Sequence, residues 1–232
     1  MRATGNARAL RMGSTGPLIL AHRGDWSRAT ENSLAAFKAA ISRPGIDGVE
    51  FDVRMARDST PVVVHDVTLR RVQGVGRSIR DLWVAELRDR GVPSLEEVLD
   101  VLPAPFFLDI ELKDDVAARA IPIIAESRGS PPRDVAVSSF DLDTIASVTA
   151  TSPDWRCWLV SRRLDGNVVR SAVAAGCVGI AVRWPALTPV GLRLTGDAGL
   201  ELATWTVTDP EMLSRMRRMS LVAVCVDPSA LT

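Results

Sequence analysis

The chain has 232 residues and a mass of 25.0 kDa, with 47% apolar and 24% charged residues. That suits one globular domain, or at most two small ones, and excludes a disordered chain. Basic and acidic residues balance at 28 each, so no cationic excess is available to hold a nucleic acid backbone, and no run of about 18 apolar residues offers a membrane span.

Residues 1–17, MRATGNARALRMGSTGP, carry arginine and small residues but no acid. They lack an apolar stretch of signal-peptide length and are expected to be a flexible leader ending at Pro17; their composition also fits an organelle transit segment. From residue 18 short apolar runs rich in β-formers alternate with helical stretches. Strands are expected at 18–22 (LILAH), 48–53 (GVEFDV), 106–113 (FFLDIELK), 135–140 (VAVSSF), 155–160 (WRCWLV), 179–184 (GIAVRW), 200–207 (LELATWTV) and 221–226 (LVAVCV). Between them Asn32 is expected to cap SLAAFKAAI, Ser94 to open LEEVLDVL and Asp209-Pro210 to open EMLSRMRRM. Eight strands alternating with seven helices is the count of a (β/α)8 TIM barrel, here one domain over 18–232. A doubly wound open sheet is the other arrangement, but no glycine-rich dinucleotide fingerprint is present. Two irregularities are expected: a long insertion at about 54–93, beginning as a hairpin into PVVVHD (61–66), and a last helix that is missing or one turn long.

The three cysteines, Cys157, Cys177 and Cys225, are widely spaced and read as buried small residues in a reducing, cytoplasmic setting. The chain holds only two histidines, His22 and His65, and two lysines, Lys38 and Lys113. Both histidines fall at the C-terminal ends of strands, where functional groups of such barrels gather. Glu50 and Asp52 share one face of the second strand, and Asp109, Glu111 and Lys113 share one face of the third.

Three carboxylates meeting in a barrel mouth repel unless some protonate or a cation neutralises them. Oxygen-only ligands at Glu50, Asp52 and Glu111 suit a hard divalent ion, Mg²⁺ or Ca²⁺. With that ion, Lys113 and Arg23, the site carries one net positive charge. A phosphodiester cancels it; a dianionic monoester leaves an excess of negative charge. One histidine could then take the proton of an attacking oxygen and the other protonate the leaving alkoxide. Each residue also has a plainer role open to it. A strand-end histidine often serves only as a hydrogen-bond partner, and Trp205 could be core or rim. The GVG at 74–76 lacks a following GK[ST] and reads as a turn.

These segments, taken in order, resemble the glycerophosphodiester phosphodiesterase family. AHRGD (21–25) with ENSLAAFKAA (31–40) resembles its opening. VEFDVRMARDSTPVVVHDVTLRR (49–71) resembles its Glu-x-Asp strand and His-Asp hairpin. GVGRSIRDLWVAEL, VPSLEEVL, IELK, SSF and WTV complete the series. The resemblance implies a TIM barrel with a small insertion, one divalent cation, and hydrolysis of glycerophosphodiesters to an alcohol and glycerol 3-phosphate. It implies Glu50, Asp52 and Glu111 as metal ligands and His22 and His65 as the acid–base pair. Arg23 and Lys113 would contact phosphate, and Trp205 would line the glycerol or head-group side. The sequence departs from the pattern at Thr30 (usually proline), at Thr208 (usually asparagine) and in the last strand, LVAVCVDP, which is usually glycine-rich and ends in Thr-Asp. A small-molecule substrate without stable membrane insertion is expected. The alternatives are a lipid phosphodiesterase of the lysophospholipase D or sphingomyelinase D type, and a non-catalytic phosphodiester-binding relative.

Overall fold

The computed structural model describes residues 16–231, so the expected leader lies almost wholly outside the described residues. Nine strands form one sheet: β1 (Leu18–His22), β2 (Gly48–Met55), β3 (Pro61–Val63), β4 (Phe107–Leu112), β5 (Val135–Ser139), β6 (Cys157–Ser161), β7 (Gly179–Arg183), β8 (Glu201–Val207) and β9 (Ala223–Val226). Eight of them, all but β3, pair in parallel in the order β1-β9-β8-β7-β6-β5-β4-β2, and β2 pairs back to β1 to close the barrel. The expected (β/α)8 TIM barrel is the observed fold. β3 pairs antiparallel with the end of β2 as the hairpin that opens the insertion.

The strands read as nearly continuous apolar runs because both faces are covered. Outward residues such as Ile19, Val49, Phe51, Ile110, Val137 and Val224 pack into one core against the helices. Inward residues form a second, smaller core of Leu20, Phe107, Ala136, Trp158, Val160, Ala181, Ala203 and Ala223. Trp158 stacks on Phe107 with ring centroids 5.9 Å apart. Its Nε1 donates to Glu201 at 2.8 Å, and Arg156 pairs with the same carboxylate, which closes the N-terminal end of the barrel. Above this plug β7 and β8 present the small side chains of Ala181 and Ala203 to the interior, which leaves room for a cavity.

Helices α1 (Leu34–Ser42), α4 (Leu95–Val101), α5 (Ala117–Arg128), α6 (Leu142–Thr151), α7 (Gly166–Ala174), α8 (Pro189–Asp197) and α9 (Pro210–Met216) follow the barrel strands. Ser94 and Glu97 form a capping box on α4, and Asp209 accepts from Met212 N at the start of α9, as expected. α1 differs: its N-cap is Ser33, which accepts from Ala36 N. Asn32 instead adopts a positive φ of 55° and turns its side chain into the barrel mouth.

The insertion carries α2 (Arg70–Gln73), a 3-10 turn (Ile79–Asp81) and α3 (Val84–Arg88). It buries its own core, including Val62, Val64, Leu69, Ile79, Leu82 and Leu87. Gly74 ends α2 in the left-handed region at φ 74°, so GVG is a turn. Among the described residues, β9 is followed by a 3-10 turn, Pro228–Leu231.

Candidate active site

Period-two alternation aims one column of side chains per strand into the barrel, and the column becomes polar toward the C-terminal ends. On β1 it runs Leu20, His22; on β2, Glu50, Asp52; on β4, Phe107, Asp109, Glu111, then Lys113 just beyond. Leu20, His22, Glu50, Asp109, Glu111 and Lys113 line one cavity of about 250 Å³ that also reaches Trp205. Asp52 pairs with one of these lining residues, Lys113, at 3.1 Å. All eight residues singled out from the sequence thus gather at one barrel mouth, and the loops fix their positions. Arg23 takes a positive φ of 60°, with its backbone N donating to Glu50 O. His65 is held at the hairpin end by Val64 N donating to Asp52 O and by Arg54 Nε donating to His65 O at 2.7 Å.

Glu50, Asp52 and Glu111 are buried, and each offers a carboxylate oxygen within 4.8 Å of the others. Asp52 is already well partnered. It accepts from Asn32 Nδ2 at 2.9 Å and pairs with Lys113 Nζ at 3.1 Å and Arg23 Nε at 3.3 Å. Burial acts to raise its carboxyl, but Lys113 and Arg23 outweigh burial and hold it at about 2. Glu50 lacks such support. Burial, then the charges of Asp52, Glu111 and Asp109, push it well above the usual carboxylate range. Glu111 is also raised, by burial and Asp52, against the pull of Lys113 2.5 Å away. Glu50 Oε2 and Asn32 Oδ1 are buried oxygens without a hydrogen-bond partner. Hard oxygen donors, unanswered negative charge and an orphaned carboxylate oxygen fit a divalent cation of the Mg²⁺ or Ca²⁺ kind.

Deeper in the barrel, Asp109 accepts from Ser138 Oγ at 2.6 Å. Burial lifts its carboxyl to about 7 despite that bond.

Each histidine has a carboxylate on Nδ1. His22 meets Asp227 Oδ1 at 2.6 Å, and His65 meets Asp66 Oδ1 at 2.6 Å. A carboxylate there favours hydrogen on Nδ1 and leaves Nε2 as the nitrogen available to a ligand. His22 Nε2 stands 3.8 Å from Glu50 Oε2. Burial lowers the His65 imidazole from its ordinary value, partly opposed by Asp52 and Asp66. A chain of ion pairs links the two sides of the mouth. Arg23 holds Glu31, Glu31 holds Arg71, and Arg71 Nε holds Asp66 at 2.6 Å.

Asp227, Arg71, Glu31 and Arg162 were not singled out from the sequence. For two of them the signal was present: Ala223, Cys225, Asp227 and Trp158, Val160, Arg162 each continue an inward column. Trp205 takes the rim position. It lines the cavity, donates from Nε1 to Ala181 O at 3.1 Å and meets the Phe140 ring edge-on at 5.6 Å. The three cysteines are buried and free, and burial raises all three thiols, to about 12 for Cys157 and about 11 for Cys177.

The sequence model of the Glycerophosphoryl diester phosphodiesterase family matches residues 22–231. A glycerophosphodiester phosphodiesterase of Caldanaerobacter subterraneus is 26% identical over 230 residues, covering 90% of this chain and 93% of the relative. The crystal structure of a glycerophosphodiester phosphodiesterase from Thermotoga maritima is similar at a TM-score of 0.79 and 28% identity, covering 94% of this chain and 97% of that one. An Oleispira antarctica phosphodiesterase, solved in complex with the product sn-glycerol-3-phosphate, has the same fold at a TM-score of 0.79 and 24% identity, covering 93% and 95%.

Proposed function

The chain belongs to the glycerophosphoryl diester phosphodiesterase family and is an enzyme of that class, and on that premise we propose that it hydrolyses soluble glycerophosphodiesters to an alcohol and glycerol 3-phosphate with one divalent cation and its two histidines. The observation that carries the reading is the convergence of three buried carboxylates and two carboxylate-backed histidines on one cavity.

Glu50, Asp52 and Glu111 hold the cation in this reading. When bound, such an ion supplies a Lewis acid for a phosphoryl oxygen and draws Glu50 into its ionised form. Arg23 and Lys113 are cations at the same mouth and orient the phosphodiester, each restrained by carboxylates so that little side-chain freedom is lost on binding. One histidine takes the proton of the attacking oxygen at Nε2 as the new P–O bond forms. The other delivers a proton from Nε2 to the alkoxide as the old P–O bond breaks. An alkyl alkoxide is a poor leaving group, so the acid is needed. Asp227 and Asp66 keep each ring oriented. Trp205 packs beside the alcohol or glycerol carbons.

Turnover measurements test the reaction class. Glycerol 3-phosphate should appear from glycerophosphoethanolamine and related soluble diesters in Mg²⁺ or Ca²⁺ and not in chelator. Cleavage of a lysophospholipid with no turnover of any soluble diester would replace this reading by a lipid-directed one.

A further inference from the structure

The cavity holds one cation that the chemistry above does not use. Arg162 follows β6 directly and continues the inward column of Trp158 and Val160, which brings it to the cavity wall. Its surroundings differ from those of the other two cavity cations of the Lys/Arg type. Arg23 is paired with Glu31 and Asp52, and Lys113 with Asp52 and Glu111. The neighbouring Arg163 is paired with Asp165. Arg162 forms no ion pair among the described residues; its guanidinium lies 5.5 Å from the centroid of the Phe140 ring.

That ring is a firm support. It meets Trp205 edge-on, and Trp205 is tied to the β7 backbone through Nε1. Lys113 Nζ lies 5.6 Å from the same ring centroid, so one aromatic ring spans the gap between a phosphate-binding cation and an unanswered one. An aromatic pair alone would suit a quaternary ammonium group. Here Arg162 already sits on the ring, and a second cation would meet like charge.

Resting on the reaction class proposed above, we infer that Arg162 is a specificity-determining residue that selects diesters whose alcohol bears a second anionic group. A carboxylate or a further phosphate a few bonds beyond the scissile P–O bond has the right charge for its planar donors, and both are bound in two-pronged fashion by guanidinium. Choline and ethanolamine are cationic alcohols without an anionic group and bring the wrong sign.

The test is kcat/KM of the metal-loaded enzyme on four diesters: glycerophosphoserine and bis(glycerophospho)glycerol against glycerophosphocholine and glycerophosphoethanolamine. Wild type should favour the anionic pair by about tenfold or more at low salt, and added salt should shrink that ratio. Arg162→Gln should collapse the ratio toward one and Arg162→Glu should invert it. Arg163→Ala, which alters an exposed residue outside the cavity, should leave it unchanged. Turnover of all four substrates without charge preference, or a preference that survives Arg162→Gln, overturns this inference alone. If only one of the two anionic diesters is favoured, and Arg162→Gln abolishes it, the residue is confirmed and the anion is identified as carboxylate or phosphate. No turnover of any diester overturns the reaction class and this inference together.

Discussion

The Nδ1 atom of His22 lies 2.6 Å from Oδ1 of Asp227, a partner 205 residues away in the chain. β1 and β9 are adjacent and parallel, with Ala21 in register with Val226, so barrel closure alone delivers the pair. Asp227→Ala should lower kcat by roughly 10–100-fold, less than loss of the imidazole itself, and should change KM little. In a His22→Ala background it should cost almost nothing more, because the two act as a unit. Additive losses in that double-mutant cycle would show that Asp227 acts elsewhere.

His22→Ala and His65→Ala should each reduce kcat on an alkyl diester by about 10²–10⁴-fold with the barrel still folded. A diester with a nitrophenolate leaving group separates the roles. That group departs without a proton, so the variant lacking the acid should regain most of its activity and the variant lacking the base should not. Equal losses of both variants on both substrates would contradict a division of labour.

Cation binding can be read without turnover. Mg²⁺ or Ca²⁺ at about 100 times its dissociation constant should stabilise the protein by about 2.7 kcal/mol, or about 5–10 °C in Tm for a chain of this size. Glu50→Gln should lose that shift, since it removes the carboxylate whose Oε2 has no partner in the fold. A wild-type Tm indifferent to both ions would count against the carboxylate site.

Asp25 accepts from Arg43 Nη1 at 2.7 Å, and Arg43 also donates to Leu231 O, so this pair ties the loop after β1 to the chain's last turn. Burial acts to raise the Asp25 carboxyl, but the hydrogen bonds from Arg43 and Ser27 outweigh it and hold the group below its ordinary value. A folded carboxylate held below its unfolded value adds stability that is full at neutral pH and fades as the pH falls below about 4 through the folded value. Asp25→Asn should therefore be less stable than wild type at pH 7, with the gap closing in acid. A gap of constant size from pH 7 to pH 3 in denaturant unfolding would contradict this.

At Gly48 a Cβ would lie 2.2 Å from Phe107 O and 2.8 Å from Leu20 Cδ2. The first contact is backbone in a paired strand and cannot yield. Gly48→Ala should cost about 1–3 kcal/mol or more in chemical denaturation, and a neutral result would mean that β2 and β4 can separate at that point.

Much of this is legible in the sequence. Apolar runs interrupted by helical stretches marked the barrel, and Glu50/Asp52 and Glu111/Lys113 declared a shared face by their spacing of two. An Asn before Ser-Leu-Ala satisfies the local preference for a helix cap, but Asn32 bonds instead to Asp52 on β2, a contact that depends on tertiary position. The Arg23–Glu31–Arg71–Asp66 chain joins a β1 loop to the insertion and has no sequence period to reveal it. Arg162 and Asp227 did lie on readable inward columns. They were hidden because in a chain with so many arginines and acids, charge at a strand end is not distinctive until the strand is closed into a barrel.

In the proposed reaction this mouth cleaves a glycerophosphodiester at phosphorus with a divalent cation and both histidines. Phosphorus NMR of one soluble diester tests it most directly, recorded with the stripped enzyme, after adding Mg²⁺ or Ca²⁺, and with His22→Ala and His65→Ala under the same conditions. The diester resonance should give way to that of glycerol 3-phosphate only in the metal-loaded wild type. An unchanged diester in the metal-loaded wild type, or full conversion by the stripped enzyme or by either histidine variant, would contradict it.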